Sequence, residues 1–310
     1  MVTPINLRAF KASLFRGGAP LCAPAQADTE VRPYWVSLNT RKTYIAVACA
    51  KEEKSYNSYM IPYFYIDHFY LGSLEIHVWG FFVALGIITG ALIAIKRAKI
   101  FNIKSGEIID FVFWLTFGAF IGGRVLFVLI NNGFSLGGVF ERSGSGFSSL
   151  GAIVVGIIIT FFIIRKRRIL PSVFLQIFAP VFLLVEGVGR IGCFLIHEHL
   201  GRISNFYLAV RIGDASRHDL GLYFSISALF GFIIIIGLKK YQKIPTIAVG
   251  WLSIIWYFVA RFLLEFLYEN GGQFGVVKYA GLTLMQYISL FVILGVTSMI
   301  IIKIKKPRRW

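Results

Sequence analysis

Residues 189–201 read GRIGCFLIHEHLG, placing an arginine, a glutamate and two histidines at the end of an apolar run that starts near Pro171. An ionisable group at membrane depth costs roughly 2.5 kcal/mol or more even on lenient insertion scales. Several of them at the edge of one apolar helix therefore mark a working site as well as a span. The surrounding chain fixes the solvent. It is 57% hydrophobic and only 15% charged, with a mean hydropathy of +0.72, so it has too little polar surface to cover a soluble globule of 310 residues. An all-α polytopic membrane protein follows.

A spanning helix needs about 20 mostly apolar residues, and seven stretches qualify: 76–95, 108–130, 147–164, 171–196, 220–238, 247–267 and 282–302. The third is short, and Pro180 interrupts the fourth. The net charge of +17 comes from basic residues gathered in loops, without the stripe or recognition helix that nucleic acid would need. Lys96, Arg97, Lys99 and Lys104 follow the first span, 165–168 the third, Lys239, Lys240 and Lys243 the fifth, and a basic tail at 303–309 the last. By the positive-inside bias these loops face the cytoplasm. The amino-terminal end of the first helix is then expected outside and the carboxy terminus inside. The loop around Glu141 and Arg142, the segment 198–219 and the loop 265–278 fall on the outer side. Residues 1–59 have no run long enough to span and are read as a non-membrane tail, disordered or preceding a true start at Met60; residues 60–310 form the seven-helix domain. Cys22, Cys49 and Cys193 share no metal-ligand spacing, so neither metal nor other cofactor is expected.

The polar residues inside the spans carry the chemistry. Arg124 follows Gly122 and Gly123, and Arg190 lies among Gly187, Gly189 and Gly192. Small residues let a backbone or a headgroup approach closely. Two glycine-flanked arginines at similar depth fit one anionic headgroup, because guanidinium forks bind phosphate bidentately. The plainer reading is helix packing with arginines snorkelling to the interface. Arg261 and Glu265 are four apart, one turn along a helix, and can pair. His218 and Tyr223 open the fifth span, Thr283 and Gln286 the seventh, all near the outer side.

From about residue 62 to 305 these motifs resemble, in order, the prolipoprotein diacylglyceryl transferases. IHVWG at Ile76 is similar to the family's first-helix motif, with Trp79 at its tyrosine. GGR at Gly122 resembles the second-helix arginine motif, and GRIGCF with Glu198 and Gly201 the signature. HDLGLYF at His218 resembles His-Pro-Ser-Gln-Leu-Tyr-Glu, and RFLLEF at Arg261 and LTLMQYISL at Leu282 the last two motifs. The resemblance implies a multi-pass enzyme of the plasma (inner) membrane. It would move the diacylglyceryl group of phosphatidylglycerol, a membrane lipid, onto the lipobox cysteine of a prolipoprotein signal peptide. Arg190 and Arg261 are the expected phosphate clamp and Arg124 a third candidate, with Glu198 and Glu265 orienting the arginines. Gly123, Gly192, Gly201, His218, Tyr223 and Trp79 are expected near the substrate.

The sequence also departs from the family. SSLGA at 148–152 puts Leu150 at the position of the histidine in Ser-Phe-His-Gly-Gly, Cys193 stands for an asparagine, and Ile196-His197 for Asn-Gly. Leucine takes no proton. His199, or failing it His197, is the expected replacement base, with two water-facing interfacial histidines as the alternative. Cys193 reads as packing or as a thiol activated by Arg190. A homologue that binds or transports phospholipid without chemistry is the competing function.

Overall fold

The computed structural model describes residues 34–37, 44–47, 60–132, 147–213, 215–271 and 275–305. Among them are seven long helices: α1 Val78–Ala98, α2 Ser105–Asn132, α3 Ser149–Arg167, α4 Pro171–Leu195, α5 Leu220–Lys240, α6 Thr246–Leu264 and α7 Leu284–Lys305. Six are long and apolar enough to cross a membrane, the exception being α3. Its last turn holds Arg165, Lys166 and Arg167, three adjacent charges at the end of a 19-residue helix. Pro180 lies inside α4 without ending it, and Pro171 opens that helix at a position where its missing N–H is not needed. The surface is inside-out relative to a soluble protein. Phe291, Ile130, Phe162 and Ile233 are each at least 65% exposed, whereas Gln176, Ser225, Ser253, Gln286 and Ser289 are buried.

Helix α4 is the hub, packing along α1, α5 and α6, while α7 packs on α6 and α2 pairs with α3. Glycines set these approaches. A Cβ on Gly250 of α6 would stand 2.7 Å from the Leu175 carbonyl oxygen of α4, so only glycine lets the backbones meet. The Gly250 N–H donates to Gln176 Oε1 at 2.6 Å, and Arg97 at the end of α1 donates to the Gln176 carbonyl through Nε and Nη2. Gly122 and Gly123 do the same between α2 and α3, where added methyls would collide with Val155, Phe147 and the Gly151 carbonyl. They serve helix packing rather than headgroup approach.

The described residues outside the helices include short strands: β1 Tyr34–Ser37, β2 Tyr44–Val47, β3 Ile61–Pro62, β4 Phe64–Tyr65, β5 His68–Leu71, β6 Leu74–His77, β7 Leu200–Ile203, β8 Val210–Ile212 and β9 Ala215–Asp219. Hairpin β5–β6 leads into α1. The α4–α5 connection, read from the sequence as a long outer segment, supplies β7, β8 and β9, which with β3 form a four-stranded sheet ordered β3-β8-β9-β7. Within 1–59 only β1 and β2 are described, as an antiparallel pair joined to β4. The rest of that tail, and the loop with Glu141 and Arg142, lie outside the described residues.

Candidate functional site

Arg190 comes from α4, Arg261 from α6, and Phe224 from the second turn of α5. The two guanidinium carbons sit 5.3 and 4.5 Å from the centroid of that one ring. Each arginine is oriented by a carboxylate four residues away: Arg190 Nε donates to Glu186 on α4 at 2.8 Å, and Arg261 Nη2 meets Glu265, which caps the end of α6, at 2.7 Å. Glu265 is itself held, since Thr283 Oγ1 donates to its other oxygen at 3.0 Å. Thr283 and Gln286 bond reciprocally, Thr283 N–H to Gln286 Oε1 and Gln286 N–H to Thr283 Oγ1, which caps α7. Their role is to build the wall behind Glu265. With one N–H of each five-donor fork engaged by its carboxylate, the pair retains donors for an anion.

The sequence reading assigned Glu198 to orient an arginine, and the structure corrects this. Its side chain is 53% exposed, with His199 3.9 Å away, and Glu186 does the orienting. The signal was in the sequence, because Glu186 and Arg190 have the same four-residue spacing as Arg261 and Glu265. Tyr257, one turn before Arg261, was also missed; it lies within electrostatic reach of Glu186, Arg261, Arg190 and Glu265.

After α4 the chain turns sharply. Cys193 Sγ, a Glu198 oxygen and a His199 ring nitrogen lie within 4.8 Å of one another. Cys193 is buried, and the Trp79 side chain reaches its sulfur. His199 is driven down to about 4 by burial first and then by the charges of Arg190 and Arg261, so it is neutral at physiological pH. The same ring lies within 4.8 Å of Cys193 Sγ, three residues after Arg190 on α4. His197 is different from both sequence readings of it: it is buried, with Nδ1 2.7 Å from Asp219 Oδ2, and does not face water.

The signature glycines are structural contacts. A Cβ on Gly201 would stand 2.5 Å from the Leu267 carbonyl oxygen, and one on Gly192 3.1 Å from the Trp79 Cα. Neither is open to a substrate chain. Gly123 faces Phe147 and Ser148 of the segment entering α3. Arg124 stands 5.9 Å from the Phe127 ring on its own helix, and α2 packs chiefly along α3. The ring contacts thus unite Arg190 and Arg261 around Phe224. Leu150 is 60% exposed in the first turn of α3.

His218 Nδ1 and Tyr223 Oη are 2.9 Å apart, and that hydroxyl also donates to the Leu208 carbonyl. They close one end of a cleft of about 940 Å³ between α5 and α6, lined otherwise by residues such as Phe230, Ile234, Val259 and Leu263. Leu264 and Leu267 line this cleft and also pack on the cluster of Leu220, Phe224 and Tyr268. The apolar cleft and the arginine pair therefore share a wall.

A family model described as prolipoprotein diacylglyceryl transferase matches residues 67–302. The chain belongs to that family. Relatives in it include the phosphatidylglycerol–prolipoprotein diacylglyceryl transferases of Finegoldia magna, 27% identical over 74% of this chain and 93% of its own length, and of Streptococcus sanguinis, 29% identical over 76% of this chain and 94% of its own. The family match spans α1 to α7 and every residue of the arginine cluster.

Proposed function

We propose that the chain transfers the diacylglyceryl group of phosphatidylglycerol to the lipobox cysteine of a prolipoprotein, at the plasma membrane. The supporting observation is the pair Arg190 and Arg261 on one ring, beside an apolar cleft of about 940 Å³. The cysteine sulfur attacks the glycerol carbon, the bond from that carbon to the phosphate oxygen breaks, and glycerol phosphate leaves with the electron pair while a thioether forms. Arg190 and Arg261 stabilise the charge that grows on the leaving phosphate, in a site of low dielectric. Glu186 and Glu265 orient them. His199 accepts the thiol proton: an anion bound at the clamp offsets the two arginine charges that depress it, so its basicity rises when the lipid is in place. Glu198, at the exposed lip of the same turn, and His218 with Tyr223, at the cleft mouth, contact the incoming substrates. The basic ends of α1, α3 and α5 support seven spans with the amino-terminal end of α1 outside, which sets the site toward the outer leaflet.

The test is incubation of purified protein with labelled phosphatidylglycerol and a lipobox peptide. Label on the peptide cysteine is expected; lipid binding without it would favour the non-catalytic homologue. A pH measurement isolates His199. Its native value of about 4 lies below the ordinary 6.5, so the unfolded chain takes up the proton first. Stability is expected intact above pH 6.5 and lost progressively toward pH 4. His199→Gln should flatten that slope in denaturation curves and lower transfer at least tenfold, while full transfer by this variant rejects the base assignment.

A further inference from the structure

The His197–Asp219 pair lies behind the site and contributes nothing to the clamp. Both side chains are almost fully buried, at 2% and 0% exposure, with Nδ1 and Oδ2 2.7 Å apart. Each does a second job. The other Asp219 oxygen accepts the Leu222 N–H at 3.2 Å and caps α5. His197 takes φ +47°, the left-handed region that disfavours a side chain. Its ring is packed by Tyr63 at 5.0 Å, Phe64 at 4.8 Å and Phe194 at 5.4 Å, and among the described residues its buried Nε2 has no hydrogen-bond partner. A non-glycine residue with a left-handed backbone inside such packing persists only where its surroundings over-determine it.

What it holds is the turn that presents Glu198 and His199. The His197 N–H donates to Phe194 and the Glu198 N–H to Cys193, both at 3.2 Å, and the Leu220 N–H donates back to the His199 carbonyl at 2.9 Å. The pair thus ties the end of α4, which carries Arg190, to the start of α5, which carries Phe224. We propose that His197 and Asp219 are positioning residues of the transfer reaction, their buried hydrogen bond fixing the turn that holds His199 beside Cys193, three residues after Arg190 on α4. This rests on the transferase reading above.

The experiment separates positioning from plain stability. His197→Gly removes the imidazole but suits φ +47°, and Asp219→Asn keeps a capping oxygen. Asp219→Asn is expected to melt within a few degrees of the parent, and His197→Gly, which leaves the buried Asp219 carboxylate unpaired, well below it. At a temperature where each variant is folded, both should lose kcat at least tenfold and keep KM for phosphatidylglycerol within threefold. The double variant should be no worse than the poorer single one, since both break one contact. His197→Asn, which tolerates left-handed backbone and can donate an amide N–H to Asp219, should recover activity over His197→Gly. Full kcat in His197→Gly, losses that multiply in the double variant, or losses that track the folded fraction would each overturn the proposal. If the parent protein transfers nothing, the transferase reading fails instead. Amide exchange then decides the pair: faster exchange at 195–200 in Asp219→Asn, whose neutral side chain leaves no buried charge unpaired, supports it at parental stability, and unchanged exchange removes it.

Discussion

Lysine in place of Arg190 or of Arg261 is expected to lower kcat/KM for diacylglyceryl transfer by about a hundredfold or more, the order found when one preorganised donor is removed from an anion-stabilising site. Lysine is the informative replacement. Alanine would leave Glu186 or the 2%-exposed Glu265 as an unpaired carboxylate, and breaking a buried pair costs about 3–5 kcal/mol in folding alone. Lysine keeps the charge near the carboxylate and loses the fork that can grip a carboxylate and a phosphate together. The stacked position over Phe224 is lost as well. Steady-state transfer to a lipobox peptide measures the effect, with melting temperature as the control for folding. Retention of activity within threefold by both lysine variants would remove the clamp from the mechanism. Arg124→Lys is the contrast, with a smaller loss expected because Arg124 sits on α2, which packs chiefly along α3.

The sequence made the helices legible because apolar length is a one-dimensional signal, and all seven stretches coincide with helices to within a few residues. It made Arg261–Glu265 legible for a related reason, since four-residue spacing on a helix is itself a contact prediction. The same rule applied to Glu186 and Arg190 would have found the second pair. Glu198 was assigned to the arginines through the signature that the resemblance carries, but it follows the helix end, where helical spacing no longer applies. Glycine misled in a consistent way. Gly192 and Gly201 looked like room for a substrate, whereas each is filled by a neighbouring backbone, and no sequence rule says which partner a glycine admits. The His197–Asp219 bond joins residues 22 apart across a turn and a sheet, so no local pattern announces it. Both residues stand where the motifs of the resemblance carry Gly and Pro. Two departures that looked unrelated along the chain meet in one hydrogen bond.

Blocking the α5–α6 cleft is expected to have the second large effect, and its form tells what the cleft does. Ile234→Trp on α5 and Leu252→Trp on α6 each push an indole into it from opposite walls, ten residues along from Phe224 and nine from Arg261, about 13–15 Å at the helical rise. An acyl chain entering from the bilayer leaves one apolar medium for another, so the cleft gains little hydrophobic free energy from it. Its contribution is admission and orientation: the chains must lie along α5 and α6 for the headgroup to reach the arginines past the Leu264 wall. Long-chain phosphatidylglycerol should therefore lose kcat/KM by tenfold or more in either variant. A dihexanoyl analogue, too short to reach the indole, should lose threefold or less. If the cleft were only a gap between helices in lipid, filling it would raise the melting temperature and leave both substrates turning over at the parental rate. Equal losses for the long and short lipids, at unchanged stability, would instead mean that the indoles disturb Arg261 or Phe224 and that the chains enter elsewhere.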